Sequence, residues 1–503
     1  MGPQVLVVGA GPVGLTMAAE LARYGVAVRI IDKAAARTDK SKALVLWSRT
    51  LELIDRMGCA PSFVEAGMKV TGANIVADGR QLAHISLDIV GTPYPYALML
   101  PQSETERLME QHLNACGVEV ERQVECVRLD SGPEDVAAVV RHADGREESV
   151  SPAWLVACDG AHSLARHALG MPFEGDTLPS DWVLADLHLA GLPIPANEIA
   201  VYWHARGLLA IFPIAAGRYR VIADVGEARL GDPRVDPTLT QIQSLLDERG
   251  AAGVTATSAI WLSAFTINER KVASYRSGRV FLAGDAAHIH SPAGGQGMNT
   301  GMQDACNLAW KLALAIRGLA DPEPLLDSYS AERSEIGRQV LKAAGALTAV
   351  ATVKGRLLQV LRNHAAALAF GLSPVRRAMS NAMSELSIGY PDGPLTRAGD
   401  HRSGPAAGQR APIPGGVPVG AGDTPRFALF ADASPEGDAL IARYPDLLEA
   451  KVRPAFGERG VWLVRPDGYV AATADQGGWK KIGAALEAIV GPPRATATGP
   501  RSR

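Results

Sequence analysis

Apolar runs along the first third of this chain alternate with glycine loops and helically spaced stretches. Residues 4–8 make a short apolar run, 15–24 carry helical spacing, and 26–31 form a second apolar run ending at Asp32. That order predicts strand, loop, helix, strand. Residues 41–52 are expected to open a helix reaching about Met57. Ser103 with Glu106 fits a capping box at the start of another. Residues 118–129 and 136–142 alternate like strands, and 154–158 is a further apolar strand running into a turn and a helix. Two stretches, 69–101 and 173–276, behave differently. Alternation at 73–77, 199–204, 208–213 and 218–225, with one helix at 239–249, predicts an antiparallel sheet. A strand at 280–282 and a helical run from near Asn299 follow, with an amphipathic helix over 304–317 and Ala-rich helices to about Leu386. Residues 390–424 are rich in Gly and Pro and read as a linker or an extended crossing segment. Beyond it, 426–432 and 460–472 read as strands, 478–490 as a helix, and 493–503 as a polar tail.

Composition changes this picture little. The 503 residues leave room for two or three domains. The chain is 47% hydrophobic and 20% charged with a net charge of −3, so no basic footprint points to nucleic acid. The 5 cysteines are scattered and form no CxxC, which suggests neither a disulfide framework nor a zinc site. The first residues run straight into a strand, and no apolar stretch is long and clean enough to span a bilayer, so the expected location is the cytoplasm.

The chemistry concentrates in glycine loops. Gly9, Gly11, Pro12 and Gly14 lie in a GxGxxG between strand and helix, and Asp32 follows 18 residues after Gly14. In such a unit the glycines permit a tight turn and close approach of a pyrophosphate, and the acid meets a ribose hydroxyl. The motif alone does not separate FAD from NAD. From Gly278 to Lys311 the chain reads GRVFLAGDAAHIHSPAGGQGMNTGMQDACNLAWK. A strand there breaks at Gly284-Asp285, and Gly294, Gly295, Gly297 and Gly301 then lead into a helix. Backbone without Cβ atoms admits a flat or anionic ligand, and the helix N-terminus would face it. Asp285 is placed to accept a ribityl or ribose hydroxyl. His288 and His290 form an HxH without an acidic or thiol partner set, so no metal is expected.

Gly284-Asp285-Ala286-Ala287-His288, Pro292, the 294–299 run and Asp304 resemble the second FAD-binding motif of the flavin-dependent aromatic hydroxylases, the single-component monooxygenases of the para-hydroxybenzoate hydroxylase and phenol hydroxylase type. Arg49 matches a basic position of that family's "RAxxLxxRTLE" segment, and Lys42 stands where arginine is frequent. Gln102 matches a glutamine that contacts FAD. Asp159-Gly160 with Ser163 and Arg166 resembles "DGxxSxxR", and Tyr329–Arg333 resembles "YxxER". The resemblance implies an α/β fold: a Rossmann-like FAD-binding domain (1–68, 102–172 and 277–330) interrupted by an antiparallel β-sheet substrate domain (69–101 and 173–276). A helical segment (331–389), the linker and a C-terminal thioredoxin-like domain (425–492) without CxxC complete it. It also implies cofactor contacts at Gly9, Gly11, Pro12, Gly14, Asp32, Lys42, Arg49, Gln102, Asp159, Gly160, Asp285, Pro292, Gly294, Gly295, Gly297, Met298 and Asn299.

The implied activity is NAD(P)H- and O2-dependent hydroxylation of a phenolic or polyketide-like ring through a C4a-hydroperoxyflavin, with Pro292 beside the flavin peroxide. The cofactor carries that chemistry, and the protein excludes water and positions the ring. Tyr94, Tyr96, Trp203, His204, Phe212, Arg220, Trp261, Phe265 and Asn268 are candidate pocket residues, and no phenol-deprotonating base can be named. Baeyer–Villiger oxidation or epoxidation on the same scaffold is the alternative, and a non-catalytic FAD-fold binding protein is a third reading. The choice of NADH or NADPH and the substrate stay open, as does a homodimer.

Overall fold

Val5–Val8 is buried at every position. It runs parallel to Val28–Asp32 on one side and to Trp154–Ala157 on the other, with Val280–Leu282 parallel beyond. Strands this uniformly apolar belong where both sheet faces are covered. With Val120–Arg122 and Arg276–Ser277 at the edges they make a six-stranded sheet. The structure is a computed structural model and describes residues 3–39, 41–227, 234–353, 355–397, 399, 403–413 and 416–491. The expected tail at 493–503 lies outside the described residues.

The helices Pro12–Arg23 and Gly297–Ile316 pack against each other beside this sheet. The second is not amphipathic. Every residue from Asn299 to Leu314 is buried, because the C-terminal part of the chain covers the face that would otherwise meet water.

An eight-stranded sheet forms the second layer. It runs in the order His288–Ile289, Thr255–Lys271, Glu174–Ala190, Arg218–Glu227, Gly207–Ala215, Glu198–His204, Gly72–Ala77, Arg80–Ser86. All neighbours are antiparallel except Glu198–His204 with Gly72–Ala77. Period-two alternation divides its faces. Ala200, Tyr202, Leu209 and Ile211 cluster with Ile242 and Leu246 of the helix Leu239–Arg249. Ile199, Trp203 and Ile214, with Phe212 against them, cluster with Val45 and Trp47.

Two local expectations change. Val45–Leu46 is a strand paired with Met99 and Leu98 in a small sheet that Met68–Val70 completes, and the helix begins only at Ser48. The expected capping box at Ser103 does not form. The helix starts one residue earlier, at Gln102 behind Pro101, and the Gln102 amide takes the Glu106 carboxylate at 2.9 Å instead.

Three helices, Pro322–Ala351, Arg356–Gly371 and Ser373–Met383, lead to a C-terminal three-stranded antiparallel sheet with the helices Pro435–Arg443 and Trp479–Val490. The Gly/Pro-rich stretch between them is laid down on the protein. Tyr390, Leu395, Ala411 and Val419 are buried, and Arg410 pairs with Glu52 at 2.7 Å. A buried ionic group locks the C-terminal unit to the long helices. Arg465 holds Glu332 at 2.6 Å and also pairs with Asp467, and Lys311 reaches Glu332 at 2.9 Å.

Candidate functional site

The first glycine loop is dictated by packing. Gly9 has φ +99°, and a Cβ there would lie 2.3 Å from the Cys158 carbonyl oxygen. A Cβ on Gly14 would sit 1.8 Å from the Gly9 carbonyl oxygen. Gly11 differs: a Cβ there would meet nothing within 4 Å, so this glycine borders open space. Pro12 occupies the first helical turn, and no side chain caps the helix, which leaves N–H groups directed at that space. Asp32 shapes the loop from the next strand. Its Oδ2 accepts from Ala10 N at 2.7 Å and its Oδ1 from Ala34 N at 2.8 Å.

The second loop stands at the junction of the two large sheets. Val280–Leu282 ends in the nucleotide sheet, and His288–Ile289 already pairs with Lys271 and Arg270 at the edge of the other. The turn between them hangs on Asp304. That carboxylate accepts from Gly284 N at 3.1 Å, from His288 Nε2 at 2.7 Å and from Arg333 Nε at 2.6 Å. Arg333 and His288 hold its pKa below the usual carboxylate range against the cost of burial. Asp285 is the opposite case. Its side chain is open to solvent-sized contact, yet protein walls it, and desolvation pushes its pKa up against the pull of His288 and Lys42. Surrounding protein atoms thus disfavour the charged form although part of the side chain is accessible.

Asn299 and Trp47 hold the loop 292–297. Asn299 Oδ1 accepts from Trp47 N at 2.9 Å, and its Nδ2 donates to Val45 O at 2.8 Å and Gly295 O at 3.0 Å. Trp47 Nε1 donates to Gly294 O at 2.9 Å. Gly294 and Gly295 both have positive φ, Pro292 is exposed, and the Gly297–Ile316 helix begins at Gln296 without a side-chain cap. Gly297 and Met298 therefore open the first turn of a long helix with free N–H groups. His290 packs near Gly297, its Nδ1 2.9 Å from Ser291 O and its Nε2 buried without a partner among the described residues. Burial, and then the charge of His288, push its pKa down to about 4, so it stays neutral.

The segment 41–43 closes another side. Gln102 N donates to Ser41 Oγ at 2.6 Å, and Gln102 Oε1 accepts from Ala43 N at 3.2 Å. Arg220, paired with Asp186 at 2.7 Å, donates to the carbonyls of Lys42 and Ser41. The Lys42 side chain stays exposed. Asp159 accepts from Ala165 N at 3.3 Å through Oδ2, while its Oδ1 is buried without a partner among the described residues, and Gly160 beside it has φ +79° with open space at its Cβ position.

Arg49 departs from its expected role. It is buried, paired with Glu52 at 2.8 Å, bonded to Asp467 O at 2.6 Å and stacked over the Tyr469 ring at 4.8 Å. Its guanidinium ties the helix Ser48–Arg56 to the C-terminal hairpin, a partner no local motif announces.

Of the pocket candidates, Trp203 and Phe212 lie on the sheet face that carries Val45 and Trp47. Arg362 covers Trp203 at 4.6 Å. Tyr94 and Tyr96 meet edge to face at 6.3 Å. Arg220 is a structural clamp with Trp261 5.9 Å away, and Asn268 is engaged by Thr177 at 2.7 Å. His204 ends at the hairpin tip and Phe265 is half-buried. Sequence reading placed Asp304 in a motif without its partners Gly284, His288 and Arg333, and it missed the Trp47 clasp and the buried pair Gln303–Glu385.

The chain's residues fit a flavin dinucleotide: open space at Gly11 and Gly160, the unpaired Asp159 oxygen, the walled Asp285 and the uncapped helix at Gly297 converge from separate elements.

The FAD binding domain family model matches residues 3–344. A 6-methylpretetramide 4-monooxygenase from Streptomyces rimosus is 36% identical, over 99% of this chain and 95% of its own. Pentachlorophenol 4-monooxygenase from Sphingobium chlorophenolicum is 28% identical over 93% of each. Among solved structures, an anhydrotetracycline hydroxylase from Streptomyces rimosus superposes with a TM-score of 0.79 at 30% identity, covering 98% of this chain and 100% of that one.

Proposed function

The chain belongs to the FAD-binding-domain family of flavin-dependent aromatic monooxygenases, and we propose from that premise that its substrate is a phenolic, multi-ring, polyketide-like compound. It is an FAD-dependent, NAD(P)H-using enzyme that hydroxylates an aromatic ring. FAD, when bound, takes up a hydride from NAD(P)H and activates O2 for transfer of one oxygen atom to the ring.

The observation that carries the substrate reading is the junction of the two sheets. Asp285 and the 292–299 loop lie where the nucleotide sheet hands over to the edge of the eight-stranded one, and farther across that sheet Val201, Trp203 and Phe212 lie on the face that clusters with Val45 and Trp47. A broad apolar floor suits a fused ring system better than a single phenol, because burying flat apolar area is what orients it. The greater identity to the 6-methylpretetramide enzyme than to the pentachlorophenol enzyme supports the same choice.

Each residue then has a task. The Gly9–Gly14 loop and its open N–H groups would hold the pyrophosphate, and Asp32 would set the loop for the ribose. Lys42, Gln102 and Asp159-Gly160 would line the nucleotide, and Asp285 would hold the ribityl chain. Pro292, Gly294, Gly295, Gly297, Met298 and Asn299 would face the ring system and exclude water there. Neutral His290, whose buried Nε2 carries a lone pair, would accept a hydrogen bond at that edge. Arg49 serves packing instead. The C-terminal unit, in strand–helix–strand–strand–helix order, reads as thioredoxin-like and, without CxxC, as structural.

The test is NAD(P)H oxidation by the purified yellow protein, with simple phenols and with fused-ring phenolic polyketides, while H2O2 is assayed. Hydroxylated fused-ring product matching cofactor consumed supports the proposal. Tight coupling with simple phenols only overturns the substrate class. Lactone or epoxide products would favour the alternative oxygen chemistry.

A further inference from the structure

The helix Arg356–Gly371 is turned inside out. Its buried residues are polar, Gln359 and Asn363. Gln359 Nε2 donates to Val353 O at 2.9 Å, and Asn363 Nδ2 to Asp78 at 3.2 Å. Its leucines point the other way, and of its large apolar side chains Phe370 packs inward. Leu357 is 82% exposed, Leu361 65%, Leu368 77% and, just past the end, Leu372 59%. Spacings of four, seven and four residues put these leucines on one stripe, and Leu358 and Val360 widen it. A globular helix buries such a stripe, and a contiguous exposed one marks a surface built to meet something apolar.

Charge says what that is. From Leu347 to Ser384 the chain holds five Lys or Arg and no Asp or Glu, although its net charge is −3. Arg362 is turned back onto Val350 O, Ala351 O and the Trp203 ring. Arg356 and Arg377 are exposed. A second copy of this chain meeting through a two-fold interface would bring the same cationic patch against itself. An anionic lipid surface offers both the apolar layer for the leucines and the negative charge for the arginines.

We propose that the outer face of Arg356–Leu372 docks on the surface of a bilayer containing anionic lipid, without crossing it. No helix among the described residues is long and apolar enough to span a membrane, so the contact lies in the interface plane. The helix's inner side packs by Asn363 and Phe370 near Asp78 and the Trp203 cluster. The enzyme would therefore present that edge of the eight-stranded sheet to the lipid.

The experiment is gradient flotation of the FAD-loaded full chain with vesicles of phosphatidylcholine alone or mixed with phosphatidylglycerol. Wild type is expected to float with the anionic vesicles, to stay behind with the neutral ones, and to lose most of its bound fraction in high salt. The double variant L361E/L368E is expected to lose flotation while keeping its flavin absorbance and NAD(P)H oxidation. R356Q/R377Q is expected to weaken binding several-fold. Absence of flotation by wild type, or unchanged flotation by the leucine variant, overturns the proposal. So does a wild-type dimer in sedimentation that L361E/L368E converts to monomer with no lipid effect, since self-association would then be what covers the face.

Discussion

Asn299 accepts a hydrogen bond from the backbone N–H of Trp47 at 2.9 Å, across 252 positions of sequence. The same amide donates to Val45 O and Gly295 O, so one side chain ties the strand Val45–Leu46 to the glycine loop before the Gly297–Ile316 helix. Replacing it by leucine, Asn299→Leu, strands one buried N–H and two carbonyls. The expected result is a roughly 10–100-fold weaker FAD affinity, corresponding to about 1.5–3 kcal/mol. Flavin titration of the apoprotein checks it. Unchanged affinity would mean that the loop holds its shape without the clasp.

Gly301 and Val13 touch in a way that admits no methyl group. A Cβ on Gly301 would lie 2.6 Å from Val13 Cγ2 and 3.1 Å from Gly284 Cα. Alanine is the better helix former by about 1 kcal/mol, so the clash decides the sign. Gly301→Ala is expected to destabilise by about 1–3 kcal/mol. Adding Val13→Ala should restore part of that and not all, because Gly284 Cα stays in place. Thermal melts of the two single variants and the double variant measure the coupling.

Glu385 is buried against Gln303, and burial pushes its carboxyl up to about 8, with Arg333, Gln303 and Arg49 countering only in part. Between the ordinary glutamate value of about 4.3 and about 8, the folded chain carries a proton that the unfolded chain has lost. Stability contributed here therefore falls as pH rises through that window. Glu385→Gln mimics the protonated form. Its melting temperature is expected to exceed wild type at pH 8 and to approach it at pH 5. Parallel pH dependence in the two proteins would show that Glu385 is ionised in the fold.

Arg465 carries the join between the C-terminal sheet and the long helices. It is buried, and its guanidinium serves both Glu332 and Asp467. Arg465→Ala leaves the buried Asp467 without a cation and Glu332 with Lys311 alone, which costs about 3–5 kcal/mol. Differential scanning calorimetry should show a lower melting temperature. Limited proteolysis should show earlier cleavage between the long helices and the C-terminal hairpin. An unchanged melting temperature would mean that Lys311 alone, 2.9 Å from Glu332, holds the group together.

Local chemistry decides some features before any folding. The run Val5–Val8 reads as a two-sided buried strand because every residue is apolar, and Gly9, Gly11 and Gly14 follow because a tight turn and a close approach admit no Cβ. The helix Leu239–Arg249 lies where its spacing puts it, since Thr238 and Gln241 close a capping box within four residues. Asp285 and the 294–299 loop were visible for the same reason: the motif and the backbone freedom it needs are contiguous in the chain.

Other features needed the tertiary structure because their partners lie far along the chain. Alternation in Glu198–His204 separates Tyr202 from Trp203, but only the packing of Val45 and Trp47 on one side and Ile242 on the other says which faces the cleft. Arg49 matched a cofactor motif, yet the carbonyl of Asp467, 418 positions away, is what it binds. The Gly297–Ile316 helix looked amphipathic because Asn307 and Lys311 are polar, and their partner Glu332 comes from another helix. Sequence by itself determined the elements and the glycine loops, whose energetics are local. The faces, the clasp of Asn299 on Trp47 and the buried ion pairs were decided by tertiary structure, because a charge or an amide is satisfied by whatever the fold brings within 3 Å, which no local pattern encodes.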